Sequence, residues 1–263
     1  GTDVGVYASF DQGTSWFQFG VGMPTVQVRD LEFNAARTIL AAGTHGRGMW
    51  QIIPDAQPVN ISIVAGSPQS TQVTTTFATN LQVLVTNQAT GLPINNFAVI
   101  FTAPPAGASA RWAGAQQIVV FTNAAGIATA PTLTANTVAG TYNVTASSVA
   151  GNSGFFVLTN TPGPVANIIV CAGSPQSTIV KTDLATNLAA QVTDAFGNGI
   201  AGSSVTFNAP AGPGATGTFA GGVSVVTVTA DANGVATAPT LTANTVIGNF
   251  TVTASTPGVV NTA

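Results

Sequence analysis

The sequence predicts an all-β chain: two tandem β-sandwiches preceded by a smaller β segment. Three observations predict it. First, one long stretch is written twice. Residues 66–71 and 173–178 both read GSPQST, residues 78–81 and 185–188 both read ATNL, and residues 128–138 and 236–246 both read ATAPTLTANTV. The offsets are 107, 107 and 108 residues, so the repeated unit is a whole domain and not a solenoid repeat of about 20–50 residues. Second, short runs rich in Val, Ile, Thr and Phe recur between Gly, Pro and Asn, and no helical period competes with them. Third, charge is unevenly placed. The 263 residues include five basic and eight acidic ones, and eight of these lie at or before Asp55: Asp3, Asp11, Arg29, Asp30, Glu32, Arg37, Arg47 and Asp55. The rest of the chain carries only Arg111, Lys181, Asp183, Asp194 and Asp231, which sets a boundary near Pro54–Pro58.

Residues 1–53 alternate β-like runs with glycine turns: VGVYASF, TSWFQF, VQVRDLEF, TILAAGT and GMWQII. Val4, Val6 and Ala8 show the period of two that marks a half-buried strand. In the third run the apolar set is Val26, Val28, Leu31 and Phe33, and its slip at Asp30–Leu31 predicts a bulge. Ser9, Asp11, Gly13 and Trp16 fit S-x-D-x-G-x-x-W, which resembles the Asp-box of sialidase-type and sortilin-type β-propellers. The expected turn has Asp11 accepting backbone N–H bonds, Gly13 at positive φ and Trp16 packed onto the blade. The match covers one blade's length, and a propeller needs about 4–8 blades, so no propeller active-site residue carries over. Residues 54–58, PDAQP, read as a stiff linker.

The first sandwich is expected over 59–161. Its strands read NISIVAG, NLQVLVTN, FAVIFTA, QIVVFTN, GIATAPTLT, GTYNVTAS and GFFVLTN, seven in all, which indicates the immunoglobulin-like sandwich. The second, over 162–263, reads NIIVCAG, LAAQVTDAFGNGI, SSVTFNAP, VSVVTVTADANGVATAPTLT and GNFTVTAS. VTDAFGNGIAGSSVTFNAP, TADANGVATAPTLTAN and GNFTVTAS together are similar to the bacterial Ig-like repeats of the invasin and intimin type. Asp194, Gly197, Asn198, Val205, Phe207, Asp231, Gly234, Ala236, Phe250, Val252 and Ala254 fall on that pattern, while Gly199 replaces its usual proline. In the first copy Asn87 stands for Asp194 and Asn123 for Asp231. The resemblance implies a spacer or a binding tip. After GNFTVTAS only TPGVVNTA follows, so the equivalent of GFFVLTN is expected to be missing and the final sheet to show an open edge. The start at Gly1 predicts a processed N-terminus or a piece of a longer protein.

A net charge of −3 with five basic residues argues against nucleic acid and against anionic membranes. No run of 18 apolar residues predicts a membrane-spanning helix. The one cysteine, Cys171, aligns with Val64 and is expected to be a buried small hydrophobe. His45, the only histidine, sits in the turn-like THGRG, where a structural role outweighs catalysis. Asp183, Asp194 and Asp231 are scattered, so no metal site and no cofactor are expected. Asp194 and Asp231 are expected to cap their own glycine turns. Asn60, Asn143 and Asn249 begin N-x-S/T sequons. Trp112 aligns with Phe219 and has two readings: an aromatic covering the end of the sandwich, or a contact for a partner or sugar.

The resulting expectation is a non-enzymatic extracellular or cell-surface structural protein. It is a stalk, or a fibre subunit whose copies associate head-to-tail by strand complementation. The alternatives are the C-terminal part of a large secreted propeller glycoside hydrolase, and a surface adhesin that contacts a glycan.

Overall fold

The computed structural model describes residues 1–9, 13, 16–19, 25–34, 39–52, 59–148 and 152–259. These form β-strands and turns, and no helix among them is long and apolar enough to cross a membrane. The chain divides into two compact units, residues 1–136 with 140–159, and residues 137–139 with 160–263.

In the N-terminal segment Tyr7–Ala8 pairs antiparallel with Phe17–Gln18. Val28–Asn34, Ile39–Thr44 and Gly48–Ile52 make a three-stranded antiparallel sheet. The expected bulge is present, with the register shift falling between Val28 and Asp30. A small core of Val6, Val28 and Ala42 holds the segment, with Leu31, Leu40 and Trp50 packed on it. A propeller blade has four strands, whereas the described residues provide three and a separate two-residue pair. The linker 54–58 lies outside the described residues.

The first sandwich contains all seven expected strands. One sheet runs in the order Gln117–Phe121, Ala98–Thr102, Gly140–Ser147, Gly154–Thr161, Gln69–Gln72; the facing sheet runs Ile127–Thr129, Gln82–Asn87, Val59–Ala65. Alternation decides which side chains turn inward. Along Gly154–Thr161 the inward residues Phe156 and Leu158 are fully buried, while Phe155 and Val157 face out. Phe156 meets Phe101 with ring centroids 6.0 Å apart. Gln69–Gln72 was not expected as a strand, because QSTQ carries no apolar alternation; it forms as the edge partner of Gly154–Thr161.

The repeated blocks are one frame. Gly66 has φ +91 and packs so tightly on Asn80 and Leu81 that a Cβ would lie 2.9 Å from the Asn80 carbonyl. Gly173 has φ +82 and meets Asn187 and Leu188 in the same way. Thus GSPQST must lie on ATNL, and only glycine fits. Gln69 Nε2 donates to the carbonyls of Gly66 and Thr79, and Gln176 Nε2 to those of Gly173 and Thr186. ATAPTLTANTV closes the frame: Ala130 N donates to Leu81 O and Ala238 N to Leu188 O.

In the second sandwich Asn167–Ala172, Ala189–Thr193 and Val235–Thr237 form one sheet, and Val225–Thr229, Ser204–Asn208 and Thr253–Ser255 the other. Two expectations are corrected here. GNFTVTAS was expected to be a strand throughout, but only Thr253–Ser255 is one. Cys171 was expected to be buried and is exposed. The reason is alternation: Val59, Ile61, Ile63 and Ala65 turn inward in the first copy, so Val64, and with it Cys171 in the second, falls on the outward face. Partial desolvation raises the Cys171 thiol above its ordinary value, partly offset by a backbone hydrogen bond, and the Asp231 charge adds to the rise. The group is therefore a neutral thiol at pH 7.

The turn-capping role holds in both copies. Asp231 Oδ1 accepts from Asn233 N and Val235 N, and Asn123 Oδ1 accepts from Ala125 N and Ile127 N. Asp194 does more. It is buried, and its Oδ1 accepts from Phe196 N and Asn198 N, both at 2.9 Å. Its Oδ2 accepts from Gly163 N and Asn198 Nδ2, both at 2.8 Å. Burial pushes this carboxyl up, but the Asn198 side chain and the three backbone donors outweigh it and hold the pKa below the ordinary 3.8. The folded state then binds fewer protons than the unfolded chain. The stabilisation is complete above the ordinary value and disappears as pH falls through the folded-state one. Acidification from about pH 6 to about pH 2 should therefore lower the melting temperature of the second sandwich less in an Asp194→Asn variant than in the parent. Differential scanning calorimetry at both pH values measures this, and equal shifts would refute it.

Candidate functional site

The site is a slot in the second sandwich. In the first copy Gly154–Thr161 lies between Gly140–Ser147 and Gln69–Gln72. In the second, Thr253–Ser255 is the last strand of its sheet among the described residues, and Gln176–Ile179, the counterpart of Gln69–Gln72, is not a strand. A cavity of about 660 Å³ opens between these two walls. Its floor includes Leu184, Leu188, Phe207 and Val252, and its walls are Ser174–Val180 and Val246–Val252. Counting back 108 residues from the shared TAS, Ala263 corresponds to Phe155, so the chain up to Ala263 reaches only the start of the strand that fills this place in the first copy.

The two copies show what is uncovered. Val73, Phe77, Leu81, Tyr142 and Val144 are buried in the first. Their counterparts Val180, Leu184, Leu188, Phe250 and Val252 are only half-buried. Core residues are thus present but lack a lid. In the first copy Phe156 and Leu158 supply it, and burying two such side chains contributes about 3–6 kcal/mol. The walls stand without the strand, because the Gln176 clamp persists and Thr178 Oγ1 bonds Thr182 Oγ1 at 2.7 Å, as Thr71 bonds Thr75 at the same distance in the filled copy. The rim differs between the copies. Gln72 and Ala139 of the first are replaced by Ile179 and Ile247, which are 75% and 90% exposed and line the opening.

The other candidates do not converge. Of the Asp-box residues, Asp11 lies outside the described residues. Gly13 has φ +91, and its N–H donates to Ser9 Oγ at 2.7 Å. Trp16, expected to pack onto the blade, is 62% exposed, with its indole N–H donated to Gly13 O at 3.1 Å. The contact reading of Trp112 is corrected: the residue is 3% exposed and packs edge-on against Phe101, with centroids 6.3 Å apart. It faces the core because Ala110–Arg111 pairs with Thr134–Ala135 across the end of the sandwich. His45 is exposed in the turn whose N–H donates to Gln27 O. Among the described residues no three His, Cys, Asp or Glu side chains group as metal ligands.

No protein-family model and no curated protein sequence matches the chain. Solved structures of similar shape do. The chain is similar to FdeC, an Escherichia coli adhesin, at 18% identity over 85% of this chain and 72% of that one, with a TM-score of 0.39. It is similar to invasin, a bacterial integrin-binding protein, at 22% identity over 78% of this chain and 38% of that one, with a TM-score of 0.33. The D00–D0 domain of intimin gives 16% identity over 78% of this chain and 95% of that one, with a TM-score of 0.34. Likenesses of this size settle neither family nor partner.

Paired positions in the two copies test the uncovered core. Val144→Ala should cost about 2 kcal/mol, whereas Val252→Ala should cost under about 1 kcal/mol while the slot is open. Hydrogen exchange, followed on peptides from each sandwich separately, reads both values.

Proposed function

We propose that the chain is a non-enzymatic structural protein of the cell surface or extracellular space, a stalk or fibre subunit whose copies join by β-strand complementation. The open slot carries this reading. A sandwich with a formed frame, an uncovered apolar floor and unpaired strand edges accepts an extended segment through main-chain hydrogen bonds and inward side chains. The rim supports a second copy as donor. Where the strand is supplied in cis the rim is Gln72 and Ala139, and where the slot is open it is Ile179 and Ile247. Exposed isoleucines beside the slot favour a docked body over a strand alone. With a net charge of −3 over 263 residues, repulsion between copies is weak. Contact between one copy's slot and another part of the next is heterologous and propagates into a filament when its rotation does not close.

A surface adhesin is the second reading, favoured by the likeness to FdeC, invasin and intimin. In that case the sandwiches are the stalk, and a distal part of a longer protein binds the target.

The two readings separate on one experiment. Adding Phe-Val-Leu-Thr-Asn-Thr after Ala263 places the added Phe in the register of Phe156. The parent chain should form concentration-dependent head-to-tail polymers in sedimentation velocity and negative-stain microscopy. The extended chain should be monomeric, with a more stable second sandwich. A parent chain that stays monomeric at high concentration would sink the fibre reading and leave the adhesin stalk.

A further inference from the structure

The slot is more than an apolar trough, because the filled copy records which groups hold the strand in place and most of them recur in the open one. Three contacts of the first copy matter. The Val157 N–H donates to Ser67 Oγ at 2.8 Å, a side-chain acceptor on the wall opposite Gly140–Ser147. Asn160, buried at the far end, donates from Nδ2 to Val138 O at 3.1 Å. Phe156 lies against Phe101 on the floor. At the near end a Cβ on Gly154 would lie 3.4 Å from Ile63 Cγ1, so the first inward place is a small one.

The counterparts in the second copy are Ser174, Val246, Phe207 and Val170. Ser174 is exposed and lines the slot, and no described residue bonds its Oγ. Val246 also lines it, and Phe207 forms its floor. The residues that would supply the acceptor, the carbonyl and the aromatic all line the slot.

We infer that the slot selects by sequence: it takes an extended segment whose inward residues, at every second position, run small, aromatic, aliphatic, asparagine, with Ser174 anchoring the main chain. The register is sharp for a geometric reason. A slip of one residue turns every inward side chain outward, placing the aromatic in water and a wrong residue over Phe207. The Ser174 hydroxyl can accept a main-chain N–H in either register, so it adds affinity while the inward side chains set the register. This inference rests on the strand-complementation reading and adds to it the chemistry of the segment that any donor must present.

The probe is a synthetic peptide of residues 152–161, NSGFFVLTNT, carrying a Lys-Lys tail for solubility. The control has the same composition but a slipped pattern, NSGFVFTLNT with the same tail. Each is titrated by calorimetry into the full chain. The native-order peptide should bind and, where polymers exist, dissociate them, while the slipped peptide binds at least tenfold more weakly. Ser174→Ala should weaken the native-order peptide about fivefold, the effect of one lost neutral hydrogen bond. Equal affinity for the two peptides, or no effect of Ser174→Ala, overturns the inference. Failure of the two ideas is distinguishable. Selective peptide binding by a chain that never polymerises keeps the slot's code and removes assembly between copies. Polymers that form although neither peptide binds remove the code and move the assembly contact elsewhere.

Discussion

A sandwich closes when its last strand lies down. In the first copy Gly154–Thr161 pairs on both sides and drops Phe156 and Leu158 onto the core, so one segment satisfies two sheet edges and covers the floor. Neither neighbour is independent of it. Without that strand in the second copy, Gln176–Ile179 is not a strand, and the strand corresponding to Gly140–Ser147 shortens to Thr253–Ser255. Strand structure on either side of the slot is therefore a consequence of occupancy. The local sequences barely differ: GSPQST is identical in both copies, and GNFTVTAS keeps the apolar alternation of GTYNVTAS. Backbone N–H and C=O groups pair when a partner is present, and one strand partner decides both walls.

What keeps the open copy folded is its own frame. The glycine of GSPQST packed on the backbone of ATNL, the Gln176 clamp and the Asp194 turn do not use the last strand. This makes the slot a preformed acceptor, and a preformed site loses less entropy on binding than one that must fold around its ligand. A half-covered core is marginal in water, and its stability rises with whatever fills it by mass action. Filling of the slot and folding of this domain are thus linked quantities.

Much of this was legible from residues alone. Seven apolar runs became seven strands because alternation over a buried face leaves no other period. The glycine turns capped by Asn123, Asp194 and Asp231 followed from short polar side chains next to φ-permissive glycine. The misreadings share one cause, which is that local pattern does not know its neighbours. Cys171 sits in an apolar run, yet it falls on the outward face of its strand. Of the two readings of Trp112, its burial against Phe101 goes with the covering aromatic and not with the contact. QSTQ has no strand signature and is a strand because Gly154–Thr161 lies beside it. The rim was the one part of the site readable in principle. Ile179 for Gln72 and Ile247 for Ala139 stand out in the aligned copies, but nothing in the sequence says that these two positions border one opening.

By itself, the sequence determined the duplication, the all-β class and the strand list, because these depend on period, turn chemistry and counting. Only the tertiary structure decided that, among the described residues, the place of the GFFVLTN strand in the second copy is a walled slot lined by Ser174 and Phe207, and not a collapsed or frayed edge. The reason is physical. Whether a core closes over an uncovered place depends on how rigidly the walls are held, and here they are held by the local Gln176 to Thr186 bond and by bonds between blocks far apart in the chain, Ala238 to Leu188 and Leu184 to Leu241.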